Sequence, residues 1–301
     1  VSKPNFVPLY NFQTGALYSD GVGQTSITNY SEKTIRNFMD ATARYERNFF
    51  DDRLSATLMV GASQEQYKYS DFGVTRKDLI DPSLGVVEGA YGDYSGEGNT
   101  YEWAMRSFFG RLNLGWDDRY LLEVNLRADG SSRFNKNNRW GYFPSFSGAW
   151  RLSEEAFMED TRSWLDNLKI RASYGTLGNQ YTSSLYPYMA LIQPSTSNMP
   201  IGGEITSSMQ QSEASNNILS WESIKMTNIG LDVNLLNNRL SLTADYFIKN
   251  TDDILLKVKL PDVLGVSEPY QNAGKVQNKG WEIALAWQDK IGKDFTYGVN
   301  V

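Results

Sequence analysis

The run Ile229-Gly230-Leu231-Asp232-Val233-Asn234-Leu235, the turn Leu236-Asn237-Asn238-Arg239 and the return Leu240-Ser241-Leu242-Thr243-Ala244-Asp245-Tyr246 decide the fold class. Apolar residues hold every second position on both arms, with Gly, Asp, Asn, Ser and Thr between them. Successive side chains of a strand point to opposite faces, so each arm carries one apolar and one polar face. The Asn pair between them suits a tight turn, because Asn bonds the local backbone and tolerates left-handed conformations.

The same period runs outward in both directions. Leu54, Ala56, Leu58 and Val60 alternate with Ser55, Thr57 and Met59; Tyr120, Leu122, Val124, Leu126 and Ala128 alternate with Glu123, Asn125, Arg127 and Asp129. Trp281, Ile283, Leu285 and Trp287 continue the pattern. The expected strands are 32–49, 53–69, 101–116, 119–130, 141–152, 167–177, 222–236, 239–252, 273–289 and 295–301, an all-β chain. Short turns (50–53, 116–119, 236–239, 289–294) alternate with long polar connections (70–100, 131–140, 179–220, 250–274). The 153–166 connection reads as a short helical turn with Ser153 as N-cap. Strands this long fit the roughly 9–11 residues that cross a bilayer at a tilt. Tight turns on one side and long loops on the other describe a transmembrane antiparallel up-and-down β-barrel. Trp116, Tyr120, Tyr142, Phe143, Trp150, Tyr246, Trp281, Trp287 and Phe295 fall near strand ends, where interfacial girdles place such rings.

Composition removes other classes. None of the 301 residues is Cys or His, so thiol chemistry, thiolate metal sites and a Ser–His triad are excluded. The net charge of −6 argues against a nucleic-acid partner. No apolar run is long enough for a spanning helix, but a barrel hides its membrane face in alternation. The chain opens on Val1-Ser2-Lys3-Pro4 and stops inside the strand Phe295–Val301, so the expectation is a piece of a longer protein. Residues 1–301 read as one partial barrel domain, with 1–30 an extracellular loop punctuated by Pro4, Pro8, Gly15, Gly21 and Gly23.

Several motifs then resemble one family. They are Phe109-Gly110-Arg111-Leu112-Asn113, Arg119 to Phe134, Asn138-Arg139-Trp140-Gly141-Tyr142-Phe143-Pro144-Ser145, Trp164 to Gln180, Trp221-Glu222, Asn228 to Asp232 and Asn272 to Glu282. In this order they resemble the barrel of SusC/RagA-type TonB-linked outer-membrane transporters, densely from about 101 to 301. The resemblance implies a bacterial outer-membrane importer of oligosaccharides or peptides, about ten strands of a larger plugged barrel. It implies a SusD-like surface lipoprotein as partner, and TonB–ExbB–ExbD acting through a plug outside this chain. No cofactor is implied, and membrane lipid surrounds the wall.

Candidate binding residues follow from chemistry. Arg127, Asp129, Arg133 and Arg139 cluster at a strand end and its loop, where Arg forks could hold sugar hydroxyls or a plug; equally, they could pair among themselves and orient the Gly130-Ser131-Ser132 turn. Tyr101 and Trp103, with Tyr91, Tyr94, Tyr181, Tyr186 and Tyr188, could stack on cargo or meet the lipoprotein, or pack within their loops. The acidic pairs Asp117-Asp118 and Asp252-Asp253 sit at turns and lack calcium-loop spacing, so neither metal binding nor glycosidase chemistry is expected. Two other classes stay open: a soluble all-β carbohydrate-binding module, which would bury its apolar faces in a core, and an outer-membrane enzyme with an unusual site.

Overall fold

A computed structural model describes residues 2–5, 10–11, 16–17, 25–79, 83, 85–194, 199–201, 204–206 and 208–301. Ten long strands dominate: β1 (Ser26–Phe49), β2 (Leu54–Lys77), β3 (Tyr94–Trp116), β4 (Tyr120–Ser131), β5 (Trp140–Arg151), β6 (Leu165–Asn179), β7 (Glu222–Leu235), β8 (Leu240–Asp252), β9 (Val276–Ile291) and β10 (Phe295–Asn300). They hydrogen-bond in sequence order, and the short strand Ser2–Asn5 adds to β1 as the eleventh member of the sheet. From β3 to β10 every pair is antiparallel. All ten expected strands are present.

The tight turns work through left-handed backbone. Phe50, Asp51 and Asp52, then Asp117 and Asp118, then Leu236, Asn237 and Asn238 all have φ between 50° and 66°. Asp and Asn supply most of these positions because they enter that region at low cost. The 153–166 connection holds two 3-10 helices, Leu152–Glu154 and Ala156–Thr161. Ser153 does not cap either one; its hydroxyl is buried and lacks a hydrogen-bond partner.

β1, β2 and β3 are longer than expected. About half of the connection expected at 70–100 is strand, and 78–93 separates β2 from β3. The added stretches escape a hydropathy reading because neither of their faces is continuously apolar; polar contacts and a small core of Ile27, Leu79 and Ala90 hold them. Thr28 and Thr75 hydroxyls meet at 2.7 Å, and the Tyr30 hydroxyl donates to Asp71 at 3.0 Å. Of the segment expected as an external loop at 1–30, residues 1, 6–9, 12–15 and 18–24 lie outside the described residues, and Ser26 onward is strand.

The chain forms two compact units: Val1–Phe38 with Glu65–Trp103, and Met39–Gln64 with Ala104–Val301. In the second unit the apolar face stays uncovered: Leu126 is 57% exposed, Tyr142 74%, Ile229 56% and Ile283 69%. A sandwich would bury these side chains, so the soluble-module alternative fails here. The two most deeply buried apolar residues of this unit among those described, Phe134 and Leu219, lie instead among its long connections. Phe134, Leu219 and Leu255 form a small core, closed by Trp221 and Tyr270.

Candidate functional site

The polar face of the second unit carries an ionic lattice across three strands. Arg171 on β6, Gly230 on β7 and Asp245 on β8 occupy one row, with Lys169, Asp232 and Thr243 in the next. The Arg171 guanidinium donates from Nε to Asp232 at 3.1 Å and from Nη2 to Asp245 at 2.7 Å. Lys169 pairs with Asp232 at 2.9 Å, and Asn228 donates to Asp245 at 2.9 Å. Beside this lattice lies a concavity of about 480 Å³, lined in part by Ser55, Thr57, Asn113, Glu123, Ser147 and Ser173. Small hydroxyl-bearing side chains flanked by paired charges give this wall donors and acceptors, beside the apolar Leu114, Leu121 and Leu122.

The predicted cationic cluster divides. Arg127 pairs with Asp129 at 2.8 Å, donates to the Ser107 hydroxyl at 3.1 Å and covers the Phe109 ring. Arg133 turns away and donates to the Thr182 carbonyl at 3.0 Å, with burial lowering its pKa. Arg139 takes part through its backbone carbonyl, which accepts from Trp221 Nε1 at 2.9 Å, while its own Nε is buried without a hydrogen-bond partner. Only Arg127 and Asp129 therefore pair as the sequence suggested; the other two hold loops. The loop core of Phe134, Leu219, Trp221, Leu255 and Tyr270 was missed at the sequence level. Its signal was available as large apolar residues inside stretches otherwise rich in Ser and Asn.

Tyr101 and Trp103 belong to the first unit. They stand on β3 and stack against β2 residues: Tyr69 with Tyr101 at 6.0 Å, Tyr67 with Trp103 at 6.1 Å. Tyr30, Asp71, Glu65 and Arg36 adjoin this ladder; Arg36 donates to Glu65 at 2.5 Å. Hydrogen bonding by the Tyr69 hydroxyl, then burial and Asp71, raises the Tyr30 pKa. Rings beside carboxylates form a surface that can stack on a solute and bond its polar groups.

On the apolar face, aromatic rings mark two levels. Trp140 and Trp150 bound the same strand, β5, ten residues apart. That is about 33 Å along the strand, which a tilt of roughly 40° reduces to about 25 Å, the height of a barrel's apolar band. Phe108 stacks on Trp140 at 5.9 Å at one level, and Tyr120 on Trp150 at 6.2 Å at the other. At the short-turn level, Glu155 accepts from the Tyr120 hydroxyl at 2.7 Å and from Trp150 Nε1 at 3.0 Å, and these bonds lower its pKa.

Comparison with known proteins agrees with this geometry. The family described as TonB dependent receptor-like, beta-barrel, matches residues 3–301. The chain belongs to that family. Within it, this receptor barrel is of the SusC/RagA type. It is 36% identical over 281 residues to TonB-dependent receptor P26 of Formosa agariphila, covering 89% of this chain and 27% of that protein. It is 36% identical over 197 residues to TonB-dependent receptor SusC of Bacteroides thetaiotaomicron, covering 64% and 19%. The structure of the RagAB peptide transporter superposes with a TM-score of 0.81 at 27% identity, covering 93% of this chain and 31% of that one. The chain thus spans under a third of the length of these relatives. Members of the family are outer-membrane receptors and transporters rather than enzymes; in a transmembrane barrel an apolar face meets lipid and a polar face the lumen.

Proposed function

We propose that residues 1–301 are barrel wall in a bacterial outer-membrane importer of oligosaccharides or peptides, driven by TonB–ExbB–ExbD through a plug outside this chain. A SusD-like surface lipoprotein is its partner in capturing cargo. In this reading the chain is one partial barrel domain, and residues 1–30 lie on the extracellular side.

One observation carries the proposal: a single sheet with an uncovered apolar face on one side and a paired-charge, hydroxyl-lined face on the other. Only a wall between hydrocarbon and water satisfies both faces. Arg127 and Asp129 then lie on the lumen side, and Tyr101 and Trp103 on a cargo-facing surface. Arg133 and Arg139 act by holding the outer loops. Similarity to SusC and to the RagAB peptide transporter supports the transporter class and the lipoprotein partner. The test is uptake of labelled oligosaccharides and labelled peptides by cells that carry the whole gene, its deletion, or an inactive TonB. Uptake of one cargo class that needs both the gene and TonB is expected. Cells that lose no uptake on deletion would overturn the reading.

A further inference from the structure

The first unit contains a bare strand edge. β3 begins at Tyr94, but its pairing with β4 starts only at Met105, opposite Ser131. Over Tyr94-Ser95-Gly96-Glu97-Gly98-Asn99-Thr100-Tyr101, no strand among the described residues pairs with that side of β3, and all eight residues are exposed. An unpaired edge presents a row of free N–H and C=O groups that only another extended backbone can match throughout. Proteins usually blunt such edges with Lys or Pro; this segment contains neither.

The side chains define what would fit. Glu97 lies on the same face as Tyr30, since a Cβ added to Gly73 would meet the Tyr30 ring at 3.2 Å and Glu97 Cγ at 3.6 Å. By strand alternation Ser95, Asn99 and Tyr101 share that face, beside the Tyr69–Tyr101 stack. The opposite face carries Gly96 and Gly98, where an added Cβ would meet the β2 backbone, at 3.0 Å from the Asp71 carbonyl for Gly98 and 3.7 Å from the Gly73 carbonyl for Gly96. The acidic side chain at the centre favours a cation on the neighbouring strand.

We propose that the Tyr94–Tyr101 edge of β3 binds an extended peptide by strand addition, with a Lys or Arg of the peptide opposite Glu97. This rests on the importer reading and narrows its cargo to peptides. Recognition would come from main-chain hydrogen bonds, with selectivity from the side chains of one face.

The test uses the purified full-length protein and a synthetic Thr/Val peptide containing Lys, long enough to cover the edge and carrying a photo-reactive group. Two further peptides are N-methylated on one or the other set of alternate residues. Strand addition uses only one set, so one methylated peptide should lose cross-linking to Tyr94–Tyr101 and the other should keep it. Glu97→Lys, an exposed change that leaves the backbone intact, should shift preference toward a Glu-containing peptide by about two- to five-fold. Equal sensitivity to both methylation patterns, cross-links elsewhere, or no cross-link would overturn the proposal. Whole-cell uptake is read separately, so the importer reading can stand when the edge fails, and the reverse.

Discussion

Arg171 crosses directly over Gly230: a Cβ added to Gly230 would stand 2.5 Å from Arg171 Cζ and 2.6 Å from Asp245 Oδ1. The glycine is what lets one guanidinium reach from β6 over β7 to a carboxylate on β8. Gly230→Ala should displace Arg171 and break its bond to Asp245. The expected loss is about 1.5–3 kcal/mol, the range for a hydrogen bond to a charged partner. Urea unfolding of the full-length protein in detergent checks it, and unchanged stability would show that the lattice rearranges freely.

The assignment of faces predicts an asymmetry between neighbouring strands. Leu231→Arg puts a cation on the lipid face and should cost roughly 2–4 kcal/mol near the midplane. Thr243→Arg puts the same cation on the lumen face, directly opposite Asp232, and should be tolerated. Folding yields into lipid vesicles report the difference. Equal costs would mean that the faces are reversed or alike.

Acid should loosen the short-turn end. Arg53 donates to Asp117 at 2.8 and 2.7 Å and holds its carboxyl below the usual carboxylate range. Tyr120 and Trp150 do the same for Glu155. A carboxylate with a depressed folded pKa stabilises fully above its unfolded pKa of about 4 and loses that contribution as pH falls through the lower folded value. The native protein should therefore lose more stability on acidification below pH of about 4 than Asp117→Asn or Glu155→Gln. Parallel denaturation curves at descending pH measure this; identical slopes would contradict it.

The loop core should be separable from the wall. Phe134 is fully buried between loops and meets the Trp221 ring at 5.2 Å. Phe134→Ala should open a cavity costing about 3–5 kcal/mol locally. Limited proteolysis should then cut within 131–139 and 212–221 while the heat-resistant barrel band on gels persists. Loss of that band would make the loop core part of the global fold.

Legibility followed solvent contrast. Where one face meets hydrocarbon and the other water, as in β4, β7 and β8, the alternation of Leu and Val with Asp, Asn and Arg is enough to place strands to within a few residues. The ends of β1, β2 and β3 have no such contrast. In Ser95, Gly96, Glu97, Gly98, Asn99 and Thr100 neither alternate set is apolar, so a strand there resembles a loop. Arg133 and Arg139 lay close to Arg127 in sequence, and proximity suggested a cluster that chain direction in the loop does not allow.

By itself, then, the sequence determined the periodic elements, their order, their turns and the chemistry of each face, because these depend on near neighbours and on which solvent a side chain meets. Register across strands was left to the tertiary structure. Register placed Gly230 between Arg171 and Asp245, gathered Phe134, Leu219 and Leu255 from distant loops, and left the Tyr94–Tyr101 edge without a neighbour. Those relationships join residues far apart along the chain, and alternation within one strand carries no information about them.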